Sequence, residues 1–199
     1  MKRDKYGADQ DPYCITGTDV LKNKLNIVEE DELAEAELAL TEVAAADIEF
    51  AEPPYDFDYL KKLHKALFED IYDWAGKRRS VDISKGKTRF CVTDRIEPEI
   101  KKLFKSLAEA NYFCGLSRNE LIPKLAEFYI ELNMIHPFRE GNGRVQRILF
   151  EHIVINCGLQ FSLEPINEQV WIEANIAGVT CNYEPMARIF GMCVGKPIP

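Results

Sequence analysis

The chain has 199 residues, 46% of them hydrophobic and 29% charged, which suits one domain with a substantial core and excludes a wholly disordered chain. Its formal net charge of -8 argues against broad duplex nucleic-acid binding, which needs clustered Lys and Arg, but leaves room for a small anion in one local positive pocket. The N-terminus has basic residues but no apolar run behind them, and no stretch is long enough to span a bilayer, so the expectation is a cytoplasmic protein without direct membrane contact. The six cysteines show neither a C-x-x-C pair nor zinc-ligand spacing and are expected as unpaired small residues in a reducing compartment.

In chain order, Met1–Asp11 is expected to be weakly tied down, and Tyr6–Ile27 carries enough apolar residues to lie across the domain. Glu29–Phe50 is rich in Ala, Leu and Glu and predicts a helix that Pro53 and Pro54 stop. Asp58–Trp74 places Leu60, Leu63, His64, Leu67, Phe68 and Ile71 at helical spacing, and Gly76 is a natural C-cap. Arg79–Ile83 and Arg89–Thr93 read as two strands joined through Ser84–Thr88, the one convincing β element. Helical periodicity returns over Glu97–Tyr112. Ser117 with Glu120 forms a capping-box signal for a helix through Leu121–Met134. Further helices are expected at Gly143–Cys157, Ile166–Ile176 and Glu184–Val194, with Gly195–Pro199 as a loose tail. The predicted fold class is therefore all-α: a compact helical bundle with one protruding β-hairpin. Residues 1–54 would form a leader and helix packed on the core, 55–194 the catalytic domain and 195–199 the tail.

The chemistry concentrates in His136–Arg147, HPFREGNGRVQR. Gly141 and Gly143 around Asn142 allow a tight turn that aims backbone N–H groups at one point, and the start of the next helix adds its own unpaired N–H groups. That is an anion cradle. Arg144 and Arg147, three residues apart, bring rigid phosphate-binding forks to one helix face. Glu140 suits Mg²⁺ held between phosphates, and His136 can take a proton from an attacking hydroxyl. The pieces describe phosphoryl or nucleotidyl transfer without saying which phosphorus is attacked. Taken singly, each has an ordinary reading: a structural histidine, an i,i+4 ion pair between Glu140 and Arg144, a helix connection. Phe138 reads as a core anchor, and His64 and His152 as structural.

HPFREGNGR resembles the Fic signature H-P-F-x-(D/E)-G-N-(G/K)-R at every specified position, and Arg147 matches the second arginine that usually follows. Leu63–Phe90 is similar to the family's helix, Trp-Ala-Gly bend and flap hairpin, and Asn182–Phe190 to its closing helix. The resemblance implies a Fic-type bundle and a protein AMPylator that uses ATP with Mg²⁺ or Mn²⁺. It implies His136 as general base, Glu140 as metal ligand, Gly141, Asn142 and Gly143 as anion hole, and Arg144 and Arg147 on the outer phosphates. It further implies a flap of Lys85, Gly86, Lys87, Thr88, Arg89 and Phe90 that docks the target, and an adenine pocket near Asn175, Asn182 and Tyr183. The implied partner is a protein with a Ser, Thr or Tyr hydroxyl; some short stand-alone relatives modify DNA topoisomerase subunits. Transfer of another phosphate-bearing group, or a non-catalytic binding module, is the alternative. Fic proteins are commonly restrained by a helix bearing (S/T)-x-x-x-E-(G/N). The two near matches here, Thr93 to Pro98 and Thr180 to Pro185, both place proline last, so they read as coincidences and a separate small antitoxin is expected.

Overall fold

The computed structural model describes residues 11–164 and 166–198. Seven α-helices are found among them: α1 Glu30–Ala46, α2 Phe57–Phe68, α3 Thr93–Glu109, α4 Arg118–Ile135, α5 Asn142–Asn156, α6 Glu168–Gly178 and α7 Glu184–Cys193. Two small antiparallel pairs complete the set, β1 Ser84–Lys85 with β2 Thr88–Arg89, and β3 Leu159–Phe161 with β4 Val194–Pro197. The all-α expectation with a hairpin holds.

The helix at the centre is α4. Its buried residues, among them Leu121, Leu125, Phe128, Tyr129, Ile130 and Leu132, cover most of its circumference, as a helix enclosed by others requires. It packs against α7, α3, α5 and α6. The Ser117–Glu120 capping box is present at its start. By contrast, α3 is two-faced and buries only the stripe Ile96, Ile100, Phe104 and Leu107. Asp56 caps α2 by accepting from the Tyr59 N–H at 2.7 Å, and Leu60, Leu63, His64, Leu67 and Phe68 face inward. A short left-handed turn at Asn111–Phe113 separates α3 from α4.

Four expectations need correction. The hairpin strands are Ser84–Lys85 and Thr88–Arg89, inside the segment read as the connector, with only Gly86 and Lys87 at the tip. Arg79–Ile83 fails as a strand because the Arg79 N–H donates to Pro137 O, across the molecule, rather than to a neighbouring strand. Helix α2 ends at Phe68, not Trp74. The tail is not loose: Val194–Pro197 forms β4, and the Ile198 N–H donates to Gly158 O. That second sheet went unread because its strands lie more than 30 residues apart and Gly195-Lys196-Pro197 carries no β signal.

From Asp11 onward the leader lies against the helices. Lys24 N–H donates to Ile71 O, and Tyr13 packs edge-on against Trp74. Met1–Gln10 lies outside the described residues, but Asp11, expected loose, is tied by a 2.7 Å ion pair to Arg139 in the motif.

Arg79 is the most demanding side chain in the core. It is fully buried, and its guanidinium reaches the carbonyls of Ile135, His136, Val81 and Cys91. One residue thus ties the hairpin's base to the end of α4. An Arg79→Met change would leave several buried carbonyls without donors. It is expected to cost at least about 3 kcal/mol of stability, read as a lower urea midpoint at unchanged m-value.

Candidate active site

Helix α4 ends at His136, which adopts a left-handed conformation with φ 48° and ψ 65°. That turn points the chain into the loop Pro137–Gly141, after which α5 begins. His136 Nδ1 lies 3.0 Å from Asn133 O. A carbonyl oxygen only accepts, so Nδ1 carries the proton and Nε2 keeps its lone pair. The ring stacks on Phe90 with centroids 3.9 Å apart and planes at 18°. Burial pushes the His136 pKa down to about 4, so the imidazole is neutral at physiological pH and its Nε2 lone pair is unprotonated.

The loop is held from behind. Asn142, buried, clips it: its Oδ1 accepts from Phe138 N–H at 2.9 Å and its Nδ2 donates to Phe138 O at 2.8 Å. The asparagine side chain therefore shapes the loop, and only its backbone N–H is available to an anion. His64 Nδ1 accepts from the Gly76 N–H at 2.9 Å, which leaves Nε2–H to donate to Glu140 O at 3.0 Å. Its ring is stacked between Phe68 and Phe138. The structural reading of His64 is right, and what it supports is the motif loop itself. Gly141 has φ +79° and a Cβ there would fall 2.3 Å from the Phe68 ring, so neither the backbone nor the space admits another residue.

The first N–H groups of α5 have no partners within the helix and form the positive end of its dipole. Asn142, Gly143 and Arg144 supply them. The two arginines share a helix face but splay apart. Arg144 turns toward α1, where it pairs with Glu37 and donates to Thr41 Oγ1 at 3.1 Å, over the Phe68 ring. Arg147 is exposed and lies 5.6 Å over Trp171 of α6. Glu140 Oε1 accepts from Gly141 N–H at 3.0 Å and sits 3.7 Å from Arg144. Among the described residues no three His, Cys, Asp or Glu side chains form a metal cluster. One carboxylate still fits Mg²⁺, which takes most of its ligands from phosphates and water.

Of the flap residues, Lys85, Gly86, Lys87 and Arg89 are exposed, Thr88 is half-buried, and Phe90 turns inward under His136. Beside it a cleft of about 440 Å³ opens between the flap, α3 and α4, with Phe90, Leu103, Glu131 and Met134 in its lining. Asn175 and Tyr183 are brought to α4: Asn175 Oδ1 accepts from Asn133 at 2.8 Å, and the Tyr183 hydroxyl donates to Glu131. Asn182 instead caps its own turn, accepting from the Glu184 N–H at 3.3 Å.

The model of the Fic/DOC family matches residues 54–154. The Escherichia coli (strain K12) protein named "Probable protein adenylyltransferase Fic" is 38% identical over 193 residues, 97% of this chain and 96% of that one. The chain belongs to the Fic/DOC family. VbhT of Bartonella schoenbuchensis, named a protein adenylyltransferase, is 32% identical over 93% of this chain, which spans 39% of VbhT. The crystal structure of BepC from Bartonella tribocorum with bound AMPPNP superposes at a TM-score of 0.85, with 28% identity, covering 94% of this chain and 97% of that one. By this kinship the chain is a Fic/DOC enzyme of the adenylyltransferase class.

Three supporting residues of this Fic site, Glu37, Arg79 and the loop-bracing role of His64, were not read from the sequence. Glu37 left a signal. It falls on the stripe Leu33, Glu37, Thr41 of α1, where an acidic residue on a buried face demands a cationic partner. No comparable pattern marks Arg79.

The His136 environment predicts a pH profile. A base works in its deprotonated form, so activity is lost only as pH falls through its pKa. For the free enzyme kcat/KM is expected to be flat from pH 6 to 8 with respect to this group. An acid limb centred near 6.5 would show a solvated imidazole instead.

Proposed function

We propose that this Fic enzyme transfers AMP from ATP to a Ser, Thr or Tyr hydroxyl of a protein target, in the cytoplasm, and that it is the toxin of a toxin–antitoxin pair. The observation that supports this reading is the His136 ring at the end of α4, whose Nδ1 is engaged by Asn133 O at 3.0 Å so that Nε2 keeps its lone pair, ahead of the loop that leads into α5.

The target hydroxyl oxygen attacks the α-phosphorus and His136 Nε2 takes its proton. A new P–O bond forms to the target, the bond from the α-phosphorus to the bridging oxygen breaks, and pyrophosphate leaves. Backbone N–H groups of Asn142 and Gly143 and the dipole of α5 meet the charge that grows on the phosphate oxygens. Arg144 and Arg147 hold the outer phosphates. Glu140 would hold Mg²⁺, which would supply positive charge to offset that of the phosphates. Asn175, Asn182 and Tyr183 would line the base's side; for Asn175 the reading is favoured by the link from Asn133 to both Asn175 and His136.

The toxin reading draws on the two near matches to the restraining motif. Glu97 is paired with Lys101 at 2.9 Å and Glu184 with Arg188 at 2.7 Å, each within its own helix. Neither geometry is that of a carboxylate directed at the motif, which favours a restraint supplied in trans. A DNA topoisomerase subunit is one target of the right kind, by family analogy only.

Incubating the purified chain with α-labelled ATP, Mg²⁺ and bacterial lysate should label a small set of proteins. His136→Ala should lower that labelling at least about 100-fold while ATP binding persists. Labelling retained in the variant would remove His136 from the mechanism, and label appearing only from γ-labelled ATP would replace AMP transfer with phosphate transfer.

The flap gives a second test. Phe90 N–H donates to Ile83 O at 3.2 Å, so by the alternation of an antiparallel ladder Ser84 and Arg89 form the non-hydrogen-bonded pair. The Arg89 N–H then points away from β1, where an extended target segment can pair with it. Arg89→Pro removes that outward donor and spares the hairpin. Target modification is expected to fall about tenfold with ATP affinity unchanged. Equal losses in both would mean that the flap serves the fold.

A further inference from the structure

We infer that Glu37 of α1 is a positioning residue for nucleotide binding, which fixes the guanidinium of Arg144 in the orientation that receives the outer phosphates. This rests on the reading of Arg144 as a phosphate ligand.

The observations come from outside the motif. Glu37 is 107 positions away from Arg144 in sequence and belongs to the segment before the matched family region. Its side chain is 3% exposed, and both carboxylate oxygens are used. Oε1 accepts from Arg144 Nη2, and Oε2 accepts from the Tyr72 hydroxyl. Thr41, one turn further along α1, accepts from Arg144 Nη1 and donates its own hydroxyl hydrogen to Glu37 O at 2.7 Å. The Phe68 ring lies 4.8 Å from the guanidinium carbon and supports it from below. Arg144 is thus gripped at two nitrogens and on one face, with a quarter of its side chain left exposed. A long arginine so held has lost most of its rotamer freedom before any ligand arrives, and ordering it no longer counts against binding.

The same pair could be imagined as a brake, with Glu37 occupying the arginine in place of phosphate. The burial argues otherwise. To release Arg144, the carboxylate would have to leave two hydrogen bonds in a region closed to water, with the Tyr72 hydroxyl orphaned beside it. A brake needs a carboxylate that can move away; this one is anchored from both sides. Tyr72 reinforces the point, since burial and the adjacent Glu37 charge hold its pKa far above the ordinary tyrosine value and keep it a donor.

The test is a double-mutant cycle on the full chain, read by calorimetric titration with a non-hydrolysable ATP analogue and Mg²⁺, alongside KM and kcat for AMP transfer. Glu37→Gln is expected to weaken analogue binding and raise the KM for ATP about tenfold, with kcat changed less than about threefold. In an Arg144→Ala background the same change should have no further effect on binding. Glu37→Asp should recover part of the affinity. Tyr72→Phe, which keeps the ion pair and loosens the carboxylate, should weaken binding about threefold, and it keeps the inference open to refutation if Glu37→Gln fails to fold. Equal weakening by Glu37→Gln with and without Arg144 would make Glu37 a structural residue and overturn the inference. Tighter binding or faster transfer in Glu37→Gln would make it a brake and overturn it too. If Arg144→Ala alone leaves analogue binding unchanged, the assignment of Arg144 to phosphate fails first, and the role of Glu37 falls with it.

Discussion

The loop between α4 and α5 has its carbonyls satisfied from one side, and this one condition organises the site. The carbonyls of Ile135 and His136 accept from the Arg79 guanidinium, Pro137 from the Arg79 N–H, Phe138 from Asn142 and Glu140 from His64. Buried backbone without such partners would cost about 1–3 kcal/mol per group. The donors come from three places: Arg79 on the approach to the flap, His64 of α2 and Asn142 at the first position of α5. The bundle is therefore a scaffold that delivers hydrogen-bond donors to the back of six residues, and the left-handed turn at His136 is sustained because so many of them converge there.

The motif's positive charges are set by the same logic. Arg139, at the variable position of the motif, is clamped by Asp11 with both side chains nearly buried, and Arg144 by Glu37. Both carboxylates belong to the segment before the matched family region. The leader and α1 thus reach the catalytic loop directly. Leu33 of α1 and Val20 and Leu21 of the leader join the same hydrophobic core as α4 and α5.

What the sequence made legible follows from range. The twelve residues of the motif are contiguous, so their spacing is legible in the sequence, and they run from the end of α4 through the loop into the first turns of α5. The α4 cap is local and was equally readable. The hidden residues act over long separations: Arg79 on His136, His64 on Glu140, Glu37 on Arg144. Nothing within a window of a few residues announces such partners, except where a charge falls on an apolar stripe, as Glu37 does. The hairpin was misplaced for a related reason. The β-branched residues of Arg79–Ile83 gave the local signal, while the pairing was decided by Arg79's attachment to Pro137. Phe90 likewise reads as an ordinary strand residue until its ring is seen stacked on His136.

The two motif arginines also differ in a way that bears on control. Arg144 is committed, with Glu37 and Thr41 on its nitrogens and Phe68 on its face. Arg147 is exposed and rests on Trp171 at the opposite flank. A carboxylate arriving from another chain gains most where it meets a guanidinium it can reach without first displacing a buried ion pair, because that displacement would strand a charge in a dry setting. Arg147 meets that requirement and Arg144 does not. The division gives the proposed restraint in trans its physical footing: one arginine is built into the fold as a fixed grip, and the other remains open to whichever partner, nucleotide or protein, presents negative charge first.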